Sequence, residues 1–449
     1  METRKDVVVI GGGAAGMSAS SRVRRLDPNA RITVLEATEY VSHAPCGIPY
    51  FLEGLFDDPS LFMNYTPSFF KEKRNINVLT GAKVVEADFS ERRVTYEKDG
   101  EKVSLEFDHA VLATGAKPVV PRIEGVGGER VHLVHHPAEA PALRASLSDA
   151  SRVVIVGGGV LGLELAEAMS AKGRKVTLIH RGDYPLSRVL DEDVGKYLGE
   201  FASKRIELRM GESLVSVGDG GRSVKTDSGV YEADAVILSL GVEPNVTFGG
   251  LQLGAKGAVA TNGNMETSIK GVFAAGDVAD SVNVITHKRD WQPYAPVANK
   301  MGFVAGTNIA GGNMSFPGVV GTVITKFYEK FIGKTGLTER EAKAEGFRTL
   351  STTIRAPSRA RYYPGGSEIV VKLISEEGSK RLLGGQLMGN EEVLGRLDLL
   401  ASAVAAGMTV EQLFFVEMGY MPAITEVWDP LIIAARQLMK ARSRFPVRG

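Results

Sequence analysis

One cysteine, Cys46, stands in 449 residues, so the chain can form no internal disulfide and no cysteine-based zinc cluster. A redox cycle on that sulfur must run through a sulfenic acid or a bond to an external thiol. A lone thiol also fits a reducing compartment, and a cytoplasmic protein is expected. Excess charge of either sign is missing too, with 53 Lys and Arg against 53 Asp and Glu. No net field draws the chain to nucleic acid or an anionic membrane, so neither is an expected partner and any anion site must be local. No apolar run reaches membrane-spanning length, and Met1-Glu2-Thr3-Arg4-Lys5 leads into Val7-Val8-Val9-Ile10 without the apolar stretch of a secretory leader. No metal site is expected. What the chain has in excess is glycine, 52 residues against a usual share of roughly 7%. With 44% hydrophobic residues, this length predicts two or three domains with sizeable cores.

Many of the glycines fall where a strand turns into a helix. Asp6 to Ile10 reads as a buried strand, Gly11-Gly12-Gly13-Ala14-Ala15-Gly16 as the turn after it, and Ala14 to about Leu26 as a helix ended by Asp27-Pro28. Arg31 to Leu35 is a second strand that closes on Glu36, which completes a βαβ dinucleotide signal. Gly11 makes the tight turn, Gly13 lets backbone approach a pyrophosphate at the start of the helix, Gly16 admits close packing, and Glu36 accepts ribose hydroxyls.

The same grammar returns with Arg152 to Val156, the turn Gly157-Gly158-Gly159-Val160-Leu161-Gly162, a helix to about Lys172 and the strand Val176 to Ile179. The alternative, a structural copy that binds nothing, is disfavoured by the completeness of the strand, turn and helix context. This strand ends in His180-Arg181 where the first ends in Glu36. An acid there would hold the ribose hydroxyls of NADH, whereas His180, Arg181 and, further on, Arg188 offer room and charge for the 2′-phosphate of NADPH. The other reading is that these side chains are solvated and both cofactors serve.

Phe107 to Ala116 reads as a buried strand breaking at Ala113-Thr114-Gly115, and Ala233 to Gly241 is a related segment. The two look like crossings between nested domains. Thr267 to Asp277 reads as an apolar strand ending in Gly276-Asp277, which puts a carboxylate at a nucleotide-facing strand end. From about Gly321, strands and helices alternate without further nucleotide motifs.

Across nearly the whole chain, both fingerprints, Glu36, Ala113-Thr114-Gly115 and Ala275-Gly276-Asp277 resemble, in order and spacing, the FAD-dependent pyridine nucleotide-disulfide oxidoreductases. The resemblance implies an α/β protein with two nested Rossmann-like domains and a C-terminal α+β dimerisation domain. Residues 1–118 and 246–321 would hold FAD, 119–245 NAD(P)H, and 322–449 would form a homodimer or a dimer of dimers. Within the family the chain is similar to the single-cysteine branch of coenzyme A disulfide reductases, NAD(P)H sulfur or polysulfide reductases, NADH oxidases and NADH peroxidases. Ser42-His43-Ala44-Pro45-Cys46-Gly47-Ile48-Pro49, Tyr362-Tyr363-Pro364 and Trp428-Asp429-Pro430 resemble the coenzyme A disulfide reductases most. Gly419-Tyr420-Met421-Pro422 departs from the Tyr-Ala-Pro-Pro common in relatives, although Tyr420 still fits.

The implied chemistry passes hydride from NAD(P)H through FAD to a mixed disulfide between Cys46 and coenzyme A, with coenzyme A disulfide, sulfur or polysulfide as acceptor. Pro49 suggests a helix starting just after the sulfur, whose dipole would favour the thiolate. Ser18, Arg22 and Arg25 share one helix face and, with Ser42, Lys71 and Arg74, are candidates for coenzyme A. A solvated basic face is the alternative. Tyr362, Tyr363 and Tyr420, supplied by the partner subunit in the family, are candidate proton donors or sulfur-bonding groups, or simple interface residues. Glu164 matches a position near the nicotinamide. The first glycine turn has no histidine beside the sulfur, which weighs against a peroxidase, and His43 is either a neighbour of Cys46 or a capping side chain. The rival enzyme is a water-forming NADH oxidase cycling a Cys46 sulfenic acid. The rival class is a flavin-carrying sensor.

Overall fold

In the computed structural model, which describes residues 4–440, two parallel five-stranded sheets and one antiparallel five-stranded sheet organise the chain. The leader reading at Met1-Glu2-Thr3 and the ends of the outer domains lie outside the described residues. The first sheet is centred on Asp6–Ile10, flanked by Arg31–Leu35 and Asn77–Leu79 on one side and by His109–Leu112 and Val272–Ala274 on the other. Val7, Val8, Val9 and Ile10 are all buried, as a central parallel strand covered on both faces requires. The second sheet repeats the plan around Arg152–Val156, with Lys175–His180 and Glu207–Met210 on one side and Ala235–Leu238 and Val131–Leu133 on the other.

The third sheet runs Val323–Phe327, Lys330–Gly336, Leu382–Gly389, Glu368–Glu376, Thr349–Pro357, all antiparallel. Helices Val393–Ala405 and Pro430–Lys440 bury Leu397, Leu400, Leu431 and Leu438 in the apolar cluster of this sheet. Each such side chain removed from water contributes about 1.5–3 kcal/mol. The expected α/β class with two Rossmann-like folds and an α+β C-terminal unit is therefore the observed one.

Both dinucleotide helices form as read, Ala14–Leu26 and Val160–Ala171. A Cβ on Gly11 would lie 2.2 Å from the Ala113 carbonyl oxygen, and one on Gly157 would lie 2.0 Å from that of Ser239, so only glycine fits either turn. The segment around Asp277 corrects its reading. Only Val272–Ala274 is strand, because Gly271 turns at φ +82° and Thr267 closes a local turn with Ile269. Residues Ala116–Pro118 and Val242–Pro244, just past the two similar segments, run antiparallel to each other.

The helix Ala295–Ile309 lies along Ala14–Leu26. Gly302 and Gly306 make that approach possible, since a Cβ at either would sit 2.2 Å from the Ala15 oxygen or 2.5 Å from the Ala19 oxygen. Three units meet in one apolar cluster: Ile48, Phe51 and Leu52 after the cysteine, Leu163 and Leu165 of the second dinucleotide helix, and Phe327, Ile332 and Val370 of the third sheet.

Candidate active site

Cys46 sits in the tight 3-10 turn Pro45–Gly47, directly before helix Ile48–Glu53. The loop leading to it is fixed at Ser42, whose backbone turns at φ +48°. That strained residue donates its N–H to the Gly12 oxygen at 2.8 Å and accepts at its own oxygen from the Asn64 N–H and side-chain amide. Buried Ile48, Phe51 and Leu52 then anchor the helix. The sulfur is thus exposed on a rigid ledge between the first glycine turn and the second dinucleotide helix.

The thiolate expectation needs correction for the chain alone. Surrounding protein pushes the Cys46 thiol above its ordinary range and the Glu164 carboxylate pushes the same way, while a backbone hydrogen bond opposes them. A six-residue helix is too short a dipole to win, so the thiolate needs a further stabilising group. Glu164 is itself raised by burial and by Glu167, against the 2.7 Å hydrogen bond donated by Thr325. Glu167 pairs with Lys326, so two carboxyls on one helix meet the third sheet beside the sulfur.

His43 is partly buried and packs against the first glycine turn, its ring 3.8 Å from where a Cβ on Gly13 would stand. Its Nδ1 lies 3.2 Å from the Tyr40 carbonyl oxygen and its ring meets His136 edge-on at 4.5 Å. Burial pushes its pKa down, and pushes His136 down to about 4.

Around the first turn, Gly13 precedes the helix that opens with Ala14 and Ala15, and Gly16 admits the Gly11 oxygen. The Glu36 carboxylate is buried and accepts the Gly12 N–H at 2.8 Å. Ala113 follows directly on the strand His109–Leu112, while Thr114 and Gly115 bond to Asn245. Gly276 at φ +82° abuts Ala15, and next to it Asp277 is pushed up to about 6 by burial. No donor reaches the Asp277 carboxyl among the described residues, so it fits a polyol hydroxyl, as FAD would bring.

Gly158 plays the part of Gly12 in the second fold, donating its N–H to His180 Nδ1 at 3.1 Å. A ring that accepts there is neutral, and burial, Arg188 and Arg181 all depress its pKa. Gly159, Val160, Leu161 and Gly162 form the helix start, Gly162 within contact of the Gly157 oxygen, and Gly241 lies beyond the fourth strand at φ +97°.

A cavity of about 480 Å³ opens beside Ser42 and is lined by Ser18, Arg22, Arg25 and Arg74 among others. Arg22 lies over the Phe303 ring at 4.1 Å and donates to Thr307, while Arg74 is surrounded by Tyr65, Phe69 and Phe70 and donates to Ser21. Lys71 does not line this cavity. Its helix turns it to solvent, a correction to the basic cluster read from sequence. The sequence reading missed Asn299 and Phe303, brought in by the helix against Ala14–Leu26, and Tyr65. The aromatic cluster Tyr65, Phe69 and Phe70 at the start of the short helix Pro67–Arg74 that ends in Arg74 was the available signal.

Tyr362, Tyr363 and Tyr420 are exposed on the third unit, and the Tyr362 and Tyr420 hydroxyls stand 3.5 Å apart. Among the described residues no hydrogen bond joins their hydroxyls to Cys46. Met421, Ile424, Val427 and Trp428 extend the same exposed apolar face.

Residues 5–302 match the family described as pyridine nucleotide-disulphide oxidoreductase, and 322–432 match its dimerisation domain. The chain is 47% identical over 442 residues to the NAD(P)H coenzyme A polysulfide/persulfide reductase of Pyrococcus horikoshii, covering 97% of this chain and 98% of that protein. It is 28% identical over 435 residues to the coenzyme A disulfide reductase of Staphylococcus haemolyticus, covering 95% and 97%. Among solved structures, the NAD-dependent persulfide reductase from A. fulgidus superposes with a TM-score of 0.95 at 35% identity, over 97% of this chain and 83% of that one. The two glycine turns, the single exposed sulfur between them and the antiparallel third sheet are thus features of a known lineage: the chain belongs to the pyridine nucleotide-disulphide oxidoreductases.

Proposed function

We propose that the protein is an FAD-dependent NAD(P)H oxidoreductase that reduces coenzyme A disulfide and polysulfide or persulfide through Cys46. The observation that carries this reading is the arginine-lined cavity opening beside Ser42, four residues before the only cysteine. The names of the relatives support it. Arg22, Arg25 and Arg74 suit the phosphates of coenzyme A, and Ser42 and Ser18 suit its pantetheine arm. Gly11, Gly13, Gly16, Glu36 and Asp277 would hold FAD, with the domain limits read from the sequence.

Bound FAD supplies the two-electron link between nicotinamide and sulfur. The chain's own residues do the rest. The Cys46 thiolate attacks the disulfide of the substrate, forms a Cys46–coenzyme A disulfide and expels one thiolate. Two electrons then cleave that bond to regenerate the Cys46 thiolate and a second coenzyme A thiolate, and each departing thiolate takes one proton. Tyr420 and Tyr362, paired at their hydroxyls, are suited to hydrogen-bond and protonate it across a two-fold interface. Glu164 would lie by the nicotinamide, and Arg181 and Arg188, beside neutral His180, favour NADPH. No helix among the described residues is long and apolar enough to cross a membrane, in keeping with a cytoplasmic enzyme.

Intact mass of the purified enzyme tests the reading. Wild type should carry a coenzyme A adduct that reductant removes, and Cys46→Ser should carry none. An added oxygen without coenzyme A would favour the oxidase.

A further inference from the structure

The loop after His180 does not end at the nucleotide domain. It folds back so that Leu186, in a left-handed conformation at φ +58°, donates its N–H to the Gly158 oxygen at 2.7 Å. That fold sets Ser187 over the second glycine turn, where its Oγ lies 2.8 Å from His180 Nε2. Since His180 Nδ1 already accepts from Gly158, Nε2 carries the proton and donates to Ser187. The Ser187 hydroxyl proton is left to point outward.

The next neighbour comes from the third unit. Arg340 donates from Nη2 to the Ser187 carbonyl oxygen at 2.6 Å. Its backbone is held as well, with its N–H 3.2 Å from Asp191 Oδ1 while the Glu339 N–H reaches Oδ2 at 2.9 Å. Asp191 is in turn locked to Gln386 by two hydrogen bonds and paired with buried Lys372. Arg340 is therefore pinned at both ends beside the loop, on the wall of a cavity of about 800 Å³ that Gly182 and Ser187 also line.

Three exposed guanidiniums stand on or against this loop: Arg181 and Arg188 within electrostatic reach of His180, and Arg340 on Ser187 itself. None has a carboxylate within ion-pairing distance among the described residues, although the protein pairs many of its other arginines. Five acids line the same cavity: Asp191, Asp193 and Glu339 are paired with buried Lys372 and Glu192 with Lys196, which leaves Asp183 as the acid without an ion-pair partner among the described residues. One guanidinium held in a fixed frame, two more without ion pairs on the loop and an outward hydroxyl suit a phosphomonoester dianion.

We infer that Arg340, from the C-terminal unit, is a specificity-determining residue that reads the 2′-phosphate of NADPH together with Ser187, Arg181 and Arg188. This rests on the proposed reading of the loop as the site of that phosphate. Discrimination between the two nicotinamide cofactors is then built across a domain boundary.

Steady-state kinetics of the FAD-loaded holoenzyme test this, with NADPH and NADH as donors and 2′,5′-ADP and 5′-AMP as competitive inhibitors. Arg340→Ala should lower kcat/KM for NADPH by about tenfold and weaken 2′,5′-ADP to match, with NADH and 5′-AMP changed less than twofold. Arg340→Lys should recover part of the loss. Equal losses with both donors would reduce Arg340 to a structural clamp and overturn the inference, as would no loss with either. Arg181→Ala separates the two levels. If it alone discriminates, only the role of Arg340 falls; if neither variant discriminates, the reading of the loop falls with it.

Discussion

Asp277 is a carboxyl the fold would rather keep protonated. Burial moves it from 3.8 in the open chain to about 6, and none of the described residues donates to it. The folded, flavin-free chain thus binds more protons than the unfolded one between these values. Its stability is full below about pH 4 and falls as pH rises through 6, by at most about 3 kcal/mol at 1.36 kcal/mol per unit. Asp277→Asn should remove that fall. Urea melts of the stripped protein at pH 4.5 and 7.5 decide it: the variant should gain on wild type by more at the higher pH, and a gap independent of pH would show that the carboxyl is not the cause. Cys46 carries the same lesson, for its type and position were legible while its acidity was not, because that depends first on how far the fold buries the thiol and then on Glu164 arriving from another domain.

Two glycines in helices make opposite forecasts. Gly302 faces the Ala15 backbone, where a Cβ would come within 2.2 Å, whereas one on Gly395 in the helix Val393–Ala405 would meet nothing within 4 Å. Gly302→Ala should cost about 1–3 kcal/mol through a forced separation of the helices. It should also loosen the cavity wall at Phe303. Gly395→Ala should add about 0.4–1 kcal/mol by restricting the unfolded chain. Thermal melts of the two variants against wild type check both signs, and a stable Gly302→Ala would show that the helix pair tolerates separation. The elements themselves were largely legible: both glycine turns, both helices and the short strands announce themselves locally. What could not be read is what the topology juxtaposes. Asn299 and Phe303 complete a wall begun by Ser18 and Arg22, Lys71 turns away from Arg74, and Arg340 reaches Ser187 from a segment with no motif at all. Local pattern fixes turns, whereas long-range partners depend on sheet order.

At the scale of the molecule, Tyr362 and Tyr420 pair only with each other among the described residues' hydrogen bonds, and Met421, Ile424 and Val427 stand exposed beside a Trp428 that stacks on Phe414. If the two-fold interface brings the tyrosines to the partner's sulfur, each site has two owners. Mixing Cys46→Ser chains with Tyr362→Phe, Tyr420→Phe chains should then recover activity in heterodimers, because one of their two sites carries neither defect. Proven heterodimers without recovery would put the tyrosines beside the sulfur of their own chain. The pairing of helix Ala14–Leu26 with Ala295–Ile309 has a temporal side as well. As the chain leaves the ribosome, the first glycine turn and Arg22 emerge early, but Phe303 and Thr307, which hold that arginine, emerge only after the whole second nucleotide fold has been made. The inserted fold is fully synthesised while its host waits open, so the nascent protein should close its second glycine turn before the arginine-lined cavity that its first helix begins.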